Sequence, residues 1–204
     1  MEKWFVAAKK ADFDAWSKKF NITPVTARII RNRDILSEEE VEKYLYGTYL
    51  DMYPPELMLG MEDAAAIMAE SIALKKKIRV IGDYDVDGVT SVALLRAILM
   101  AYDLDPQYFI PVRSREGYGL SEAGIKRCLC ECADPPSLLI TVDCGTSSVK
   151  EVDMLNSLGI DVIILDHHEA GPLGRPDAAA VVNAKIEENS PYTYLCSAGV
   201  VFKL

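Results

Sequence analysis

The spacing of hydrophobic positions changes near residue 60, which predicts two regions of different structure. Residues 1–60 are patterned as short helices, with a break at Thr23-Pro24 and with Ser37 followed three places later by Glu40. A serine cap with glutamate three residues on satisfies two otherwise unpaired N–H groups, so a helix is predicted to begin after Ser37. Tyr53-Pro54-Pro55 then ends the helical pattern, because proline lacks an N–H and restricts the residue before it. We therefore predict a small helical N-terminal region over residues 1–60.

From residue 61 onward, helical periodicity alternates with short apolar runs rich in β-branched residues. Predicted helices lie at 62–76, 89–101, 121–131 and 148–158, and predicted strands lie at 78–81, 107–112, 137–142 and 161–165. Strands that alternate with helices in this way form βαβ units, in which helices cover both faces of a parallel sheet. The predicted fold class is therefore α/β over residues 61–204, a parallel β-sheet with helices on both faces.

Composition places the chain among ordinary globular proteins. Half of its 204 residues are hydrophobic and 26% are charged, which excludes a disordered tail and a disulfide-stapled miniprotein. No run of 18 apolar residues occurs and charges interrupt the N-terminus, so neither a membrane span nor a signal peptide is predicted. The five cysteines predict free thiols in a reducing cytoplasm. The spacing of Cys128, Cys130 and Cys132 does not fit a zinc site, and we assign that cluster no function.

The net charge limits the kinds of nucleic-acid binding to be expected. Lysine and arginine number 22 and aspartate and glutamate 31, which gives 22 − 31 = −9. This balance argues against a general basic surface that neutralises phosphates. It does not argue against a metal-filled cleft, because bound cations offset carboxylates locally.

Three predicted strands end in acids or histidines. The first leads through Gly82 into the segment 83–88, Asp-Tyr-Asp-Val-Asp-Gly; the third leads into Asp143-Cys144-Gly145 and the fourth into Asp166-His167-His168. Because the carboxyl ends of parallel strands share one edge of a sheet, we expect these side chains to lie together. Carboxylates with one or two imidazoles suit Mn²⁺ or Mg²⁺ better than zinc. Pairs of such ions serve phosphoryl displacement by activated water.

Each of these segments also has a purely structural interpretation. Aspartate and glycine are common turn residues after a strand, so Asp143-Cys144-Gly145 alone is typical of a plain turn. Three carboxylates at alternate positions in 83–88 are costly without a compensating charge. His167 and His168 are the only histidines of the chain, and their adjacency at a strand end favours a site. Taken together, the three strand ends predict a metal cluster.

These segments resemble motifs I to III of the DHH phosphoesterases, and most of all the RecJ-type single-stranded-DNA exonucleases of that superfamily. The matching stretches are 83–91, 142–145 and 166–169, and the likeness extends through 113–120, 195–204 and Arg33-Asp34-Ile35-Leu36. The resemblance therefore covers nearly the whole chain.

The resemblance implies a role for each matching residue. It implies metal ligands at Asp83, Asp85, Asp143 and His167. Asp166 matches the acid that supports the adjacent imidazole, and His168 matches a histidine that contacts the scissile phosphate.

Two further residues are expected to meet the substrate. Arg113 precedes the Gly-Tyr-Gly turn and is expected to contact substrate phosphate. Gly88 begins a helix, where close backbone approach and free N–H groups would suit an anion.

Two departures from the family pattern carry expectations of their own. Many members have a histidine two residues before the first aspartate of motif I, where this chain has Ile81, so one of two metal sites is expected to be weakened. Members also continue beyond the stretch that matches Leu204, into a fourth motif whose aspartate completes the site. We therefore expect residues 61–204 to be a DHH domain truncated before its fourth motif, and the activity of this chain alone stays open.

The function implied by the resemblance is hydrolysis of single-stranded DNA from the 5′ end to mononucleotides, with one or two Mn²⁺ or Mg²⁺ ions as cofactor. Single-stranded DNA is then the partner, with a single-strand-binding protein and a helicase as cooperating proteins, a cytoplasmic location and no membrane. One alternative is a DHH phosphatase acting on pyrophosphate, short oligonucleotides or cyclic dinucleotides, which chain-length preference would distinguish. The other is a non-catalytic DHH scaffold that binds DNA or replication partners, which metal affinity would distinguish.

Overall fold

The chain folds into two compact units. A computed structural model describes residue 3, residues 9–131 and residues 134–204. One unit reaches to Tyr53 and the other comprises Pro54–Leu204. None of the described helices has the length and hydropathy needed to cross a membrane.

The N-terminal unit is helical, as predicted. It contains α1 (Phe13–Phe20), α2 (Pro24–Asn32), α3 (Glu38–Tyr46) and a short 3-10 helix (Tyr49–Asp51). The predicted capping box is present: the Glu40 N–H donates to Ser37 Oγ at 3.1 Å, and the Ser37 N–H donates to Glu40 Oε2 at 2.9 Å. The helices pack around a small buried core of Trp16, Phe20, Ala27, Ile30 and Val41.

The C-terminal unit contains the alternating elements. In chain order they are a 3-10 helix (Pro55–Leu57), α4 (Met61–Ala73), β1 (Ile78–Gly82), α5 (Val86–Ala101), β2 (Gln107–Phe109), α6 (Arg113–Glu116), α7 (Glu122–Cys130), β3 (Leu138–Val142), α8 (Val149–Ser157), β4 (Asp161–Leu165), β5 (Ala180–Val182), a 3-10 helix (Ala184–Ile186) and α9 (Ser197–Lys203). The strands form one sheet in the order β2-β1-β3-β4-β5, and every pairing is parallel. The predicted α/β fold class is confirmed.

The largest differences from the sequence prediction concern two short strands and the start of α5. The strand predicted over 107–112 ends at Phe109, and β5 was not predicted because a three-residue strand has no measurable periodicity. α5 begins three residues before its predicted start, because the Asp85 side chain caps its first turn.

Alternate residues of each central strand pack on opposite faces of the sheet. Val80, Ile140 and Ile163 belong to the core on one face, with residues of α4, α5 and α9. Ile81 and Ile164 belong to the core on the other face, with residues of α7 and α8. Both faces are therefore covered, as the continuous burial of β1 and β3 requires.

The strand order creates a crevice at the middle of the carboxyl edge. From β1 the chain first moves outward to β2 and then returns to the other side of β1 as β3. Ligands of open parallel sheets bind at such a reversal, because the loops that follow the two strands diverge there. The segments that follow β1, β3 and β4 come from three neighbouring strands, so they meet at this crevice.

Candidate metal centre

The loop after β1 presents two carboxylates in different environments. Asp83 is buried, and burial raises the pKa of its carboxyl group. Asp85 caps α5: its Oδ1 accepts the N–H of Asp87 at 2.9 Å and that of Gly88 at 3.1 Å. These backbone hydrogen bonds, first that of Gly88, lower the pKa of Asp85. Asp85 is therefore held as a carboxylate, and one of its oxygens lies within 4.8 Å of ligand atoms of Asp83 and Asp143.

Gly88 packs closely against the loop that precedes α5, and its predicted contact with substrate stays a prediction. Its N–H is donated to Asp85 and is therefore not free for an anion. Its missing side chain instead permits tight packing, because a Cβ at this position would lie 2.4 Å from the carbonyl oxygen of Asp83. Gly88 thus fixes the loop that carries two acids of the centre.

Asp143 lies at the middle of the group. It follows β3 with a left-handed backbone (φ 62°), and its N–H donates to the carbonyl of Leu165 at 3.0 Å. Its side chain is almost fully buried, and burial raises its pKa to about 7. Ser197 Oγ donates to Asp143 Oδ1 at 2.9 Å.

The segment after β4 contributes both imidazoles. His167 Nε2 lies 3.2 Å from Asp143 Oδ1 and 3.5 Å from Asp87 Oδ2. Asp166 contacts the ring of His168, with Oδ1 at 2.7 Å from Nδ1, and this hydrogen bond raises the pKa of His168. The acid therefore supports the ring of His168 and not that of the adjacent His167, which it meets only through a backbone N–H at 2.7 Å.

Within the described residues, two sets of ligand atoms converge, and both include Asp143. One comprises Asp83, Asp85 and Asp143, the other Asp143, His167 and His168, and in each set the atoms lie within 4.8 Å of one another. Asp83 Oδ1 is buried and has no hydrogen-bond partner among the described residues. An ionised oxygen without a partner in the interior is costly, and a cation would satisfy it. The oxygen-rich donor set fits Mn²⁺ or Mg²⁺.

Ile81 contributes nothing to either set. Its side chain is buried in the core between the sheet and the helices α7 and α8. The expectation that one metal site is weakened at this position stays a prediction.

Aromatic residues connect Arg113 to the centre. The Arg113 guanidinium lies 5.5 Å from the ring centroid of Tyr84, which packs edge-on against Tyr118 at 6.3 Å. The Tyr118 hydroxyl lies 3.0 Å from His168 Nε2. Burial, followed by the charges of nearby acids, raises the pKa of Tyr118 to about 12. Arg113, at the start of α6, is therefore connected to His168 through the rings of Tyr84 and Tyr118.

Several residues of the site were not singled out from the sequence. Asp87 accepts the N–H groups of Ser197 and Ala198 at 2.8 and 2.9 Å, which joins the start of α5 to the start of α9. Asn183 and Thr146 hydrogen bond around Asp166 and His168. Asp87 and Tyr118 lie in stretches that carried a signal, the acidic segment 83–88 and the Gly-Tyr-Gly segment. Thr146 and Asn183 carried none, because their contacts span 15 to 37 residues.

The cysteines differ in their exposure and in their distance from the centre. Cys128 is buried and Cys130 is exposed, whereas Cys132 lies outside the described residues. Cys144 is buried next to the centre, and burial raises the pKa of its thiol well above the ordinary value.

The chain is similar to known nucleases. A family model described as the DHH family, N-terminal domain, matches residues 77–204. The single-stranded-DNA-specific exonuclease RecJ of Bacillus subtilis is 38% identical over 189 residues, which cover 92% of this chain and 24% of that protein. RecJ of Escherichia coli is 34% identical over 187 residues, which cover 90% of this chain and 31% of that protein. The chain thus spans less than a third of the length of these relatives.

Solved structures show the same likeness. A crystal structure of exonuclease RecJ bound to manganese aligns with a TM-score of 0.64 and 36% identity, over 72% of this chain and 36% of that one. RecJ of Thermus thermophilus in complex with Mn²⁺ aligns with a TM-score of 0.69 and 28% identity, over 95% of this chain and 26% of that one.

Proposed function

The chain belongs to the DHH family, and from that premise we propose that it is the metal-binding part of a nuclease that hydrolyses single-stranded DNA from the 5′ end to mononucleotides. The observation that carries the proposal is the convergence of Asp83, Asp85, Asp143 and the two histidines at one crevice, where a buried carboxylate oxygen has no hydrogen-bond partner among the described residues. The similar RecJ proteins are single-stranded-DNA-specific exonucleases, which supplies the substrate class.

The proposed cofactor is Mn²⁺ or Mg²⁺, held by Asp83, Asp85, Asp143 and His167. When bound, a pair of such cations supplies an activated water and neutralises charge that develops on the phosphoryl oxygens. These cations also offset the negative charge of the acids, so a chain of net charge −9 can receive a phosphodiester there.

The remaining roles belong to side chains that face the substrate. His168 Nε2 lies 3.0 Å from the Tyr118 hydroxyl, and we assign His168 the contact with the scissile phosphate. Asp166 orients that ring through the 2.7 Å hydrogen bond to Nδ1. Arg113 supplies a guanidinium for substrate phosphate from the aromatic cluster beside the site.

The proposal includes the division into a helical region, 1–60, and a DHH domain, 61–204. The two compact units, which divide after Tyr53, support it. A single-strand-binding protein, a helicase and a cytoplasmic location complete the proposal, as the resemblance implies.

The test compares the parent chain with Asp143→Ala and with a matched control, Asp161→Ala, whose aspartate is exposed at the start of β4. Two measurements are made in Mn²⁺: the rise in melting temperature, and mononucleotide release from a 5′-phosphorylated single strand. A ligand at about 100 times its Kd stabilises by about 2.7 kcal/mol. We expect that stabilisation, and nucleotide release, in the parent and the control but not in Asp143→Ala.

The outcomes separate the parts of the proposal. Equal Mn²⁺ stabilisation of Asp143→Ala and the parent would overturn the metal centre. Stabilisation without nucleotide release would contradict nuclease activity of this chain and favour the scaffold alternative. Equal nucleotide release from strands with a free and a blocked 5′ end would contradict digestion from the 5′ end. A preference for dinucleotides over long strands would favour the phosphatase alternative.

A further inference from the structure

Asn183, directly after β5, contacts two parts of the candidate centre with one side-chain amide. Its Nδ2 donates to Thr146 Oγ1 and to the carbonyl oxygen of His168, each at 2.8 Å. Its Oδ1 accepts the N–H of Lys185 at 2.9 Å. Asn183 is only 1% exposed, so both N–H bonds of the amide have partners in the interior.

Thr146 continues this network toward Asp166. Its backbone N–H donates to Asp166 Oδ2 at 3.0 Å, and its hydroxyl oxygen accepts the N–H of Asn183. Asp166 Oδ1 in turn accepts the backbone N–H groups of His167 and His168, at 2.7 and 3.2 Å. Thr146 therefore links the Asn183 amide to the Asp166 carboxylate.

The hydrogen bonds of Asp166 also place the hydrogen of the imidazole. Asp166 Oδ1 lies 2.7 Å from His168 Nδ1. Because this oxygen already accepts two backbone N–H groups, it acts as an acceptor here, and Nδ1 carries the hydrogen. In the neutral ring Nε2 then has a free lone pair, and it is the nitrogen that lies 3.0 Å from the Tyr118 hydroxyl. The hydrogen bonds therefore converge on Asp166: Asn183 donates to Thr146, and both Thr146 and His168 donate to the Asp166 carboxylate.

We propose that Asn183 and Thr146 are positioning residues, which fix the orientation and the tautomer of the His168 imidazole through Asp166. The hydrogen bond from Asn183 to the His168 carbonyl holds the backbone of that residue, while the path through Thr146 holds its ring. Buried networks of this kind specify one arrangement only when every member is satisfied. The catalytic consequence rests on the proposed function, in which His168 contacts the scissile phosphate.

The direct test is nitrogen NMR of the imidazoles in the metal-free 204-residue chain, at alkaline pH where both rings are neutral. The chain has only two histidines, so His168 can be assigned with a single His167→Gln variant. Asn183→Asp preserves the shape and the acceptor for Lys185 but removes both N–H donors. Thr146→Val removes the hydroxyl at nearly constant volume, and Thr146→Ser restores it.

We expect His168 to be in the Nδ1–H tautomer in the parent and in Thr146→Ser, and to become a mixture of tautomers in Asn183→Asp and Thr146→Val. The matched control is Asn156→Asp, since the exposed Asn156 also donates through Nδ2 to a carbonyl, that of Asp177 at 2.7 Å. If Asn183→Asp does not fold, as judged by its melting temperature, the Thr146 pair decides. An unchanged tautomer in Thr146→Val would overturn the proposal.

The second readout is kinetic and tests the consequence. Loss of a hydrogen bond that orients a site residue typically lowers activity roughly 10–100-fold. We expect that loss in kcat for Thr146→Val, with recovery in Thr146→Ser and little change in KM for single-stranded DNA. Parent kcat in Thr146→Val would overturn a positioning role in catalysis. If the parent releases no nucleotide, the proposed function fails, and the tautomer measurement still decides the positioning role.

Discussion

Replacing Gly88 with alanine should weaken metal binding more than it destabilises the fold. The new Cβ would lie 2.4 Å from the carbonyl oxygen of Asp83 and 2.7 Å from its carbonyl carbon and its nitrogen. Ordinary contact begins at 3.4 Å, so the helix start and the Asp83 backbone must separate by about 1 Å (3.4 − 2.4). No side chain can move aside to relieve this contact, because all three atoms belong to the backbone.

The expected effects on stability and on metal binding differ in size. Overpacking costs roughly 1–3 kcal/mol, while alanine gains about 1 kcal/mol over glycine in a helix, so we expect a net loss of about 0–2 kcal/mol. Metal binding has no such compensation, because Gly88 holds Asp85 through its N–H and touches the backbone of Asp83. We expect the Kd for Mn²⁺ to rise roughly 10–100-fold, as when residues that orient metal ligands are changed.

The assay is titration calorimetry with Mn²⁺, with urea unfolding of the same samples. The control is Gly124→Ala in α7, where the nearest atom to a new Cβ is a side-chain oxygen, Ser121 Oγ at 3.2 Å. That variant should bind Mn²⁺ like the parent. A folded Gly88→Ala variant with the parent Kd would refute the argument that this glycine sets the geometry of the metal ligands.

Two further predictions concern stability. Leu155 is fully buried on α8, so Leu155→Ala should lower the free energy of unfolding, measured in urea, by about 2–5 kcal/mol. Leu158 is 58% exposed at the end of the same helix, and Leu158→Ala should change that free energy by no more than about 0.5 kcal/mol. Similar losses at both positions would contradict the packing described. Hydrogen bonds from the backbone N–H groups of Ser37 and Leu36 lower the pKa of Glu40 below 4.5. The stabilisation of α3 by the ionised Glu40 should therefore be fully present above pH 4.5, and it should be lost as the pH falls through the lowered pKa. Acid unfolding of the helical unit followed by circular dichroism should lose this contribution in Glu40→Gln, and an identical pH dependence of the parent and the variant would argue against it.

The features that depend on near neighbours along the chain could be predicted from the sequence. The capping box at Ser37 is such a feature, and so is the end of α8, where Gly159 has the left-handed backbone that follows a helix (φ 72°). The apolar runs of β1, β3 and β4 and their acidic ends were also visible, because each lies within a few residues. Since parallel strands align their carboxyl ends, these runs were enough to predict that Asp83, Asp143 and His167 meet.

The contacts between these groups, and their hydrogen-bond partners, depend on the tertiary structure and could not be predicted. Asp87 accepts N–H groups from the start of α9, more than 100 residues away. Asn183, which donates to Thr146, directly follows β5, a strand too short to predict. The pairing of Asp166 with His168 instead of His167 depends on the direction of the backbone after β4. The close packing of Gly88 against the backbone of Asp83 likewise depends on how the first turn of α5 meets the loop after β1. The physical reason is that periodicity and capping are local, whereas hydrogen bonds between loops depend on strand order and on the packing of side chains from distant segments.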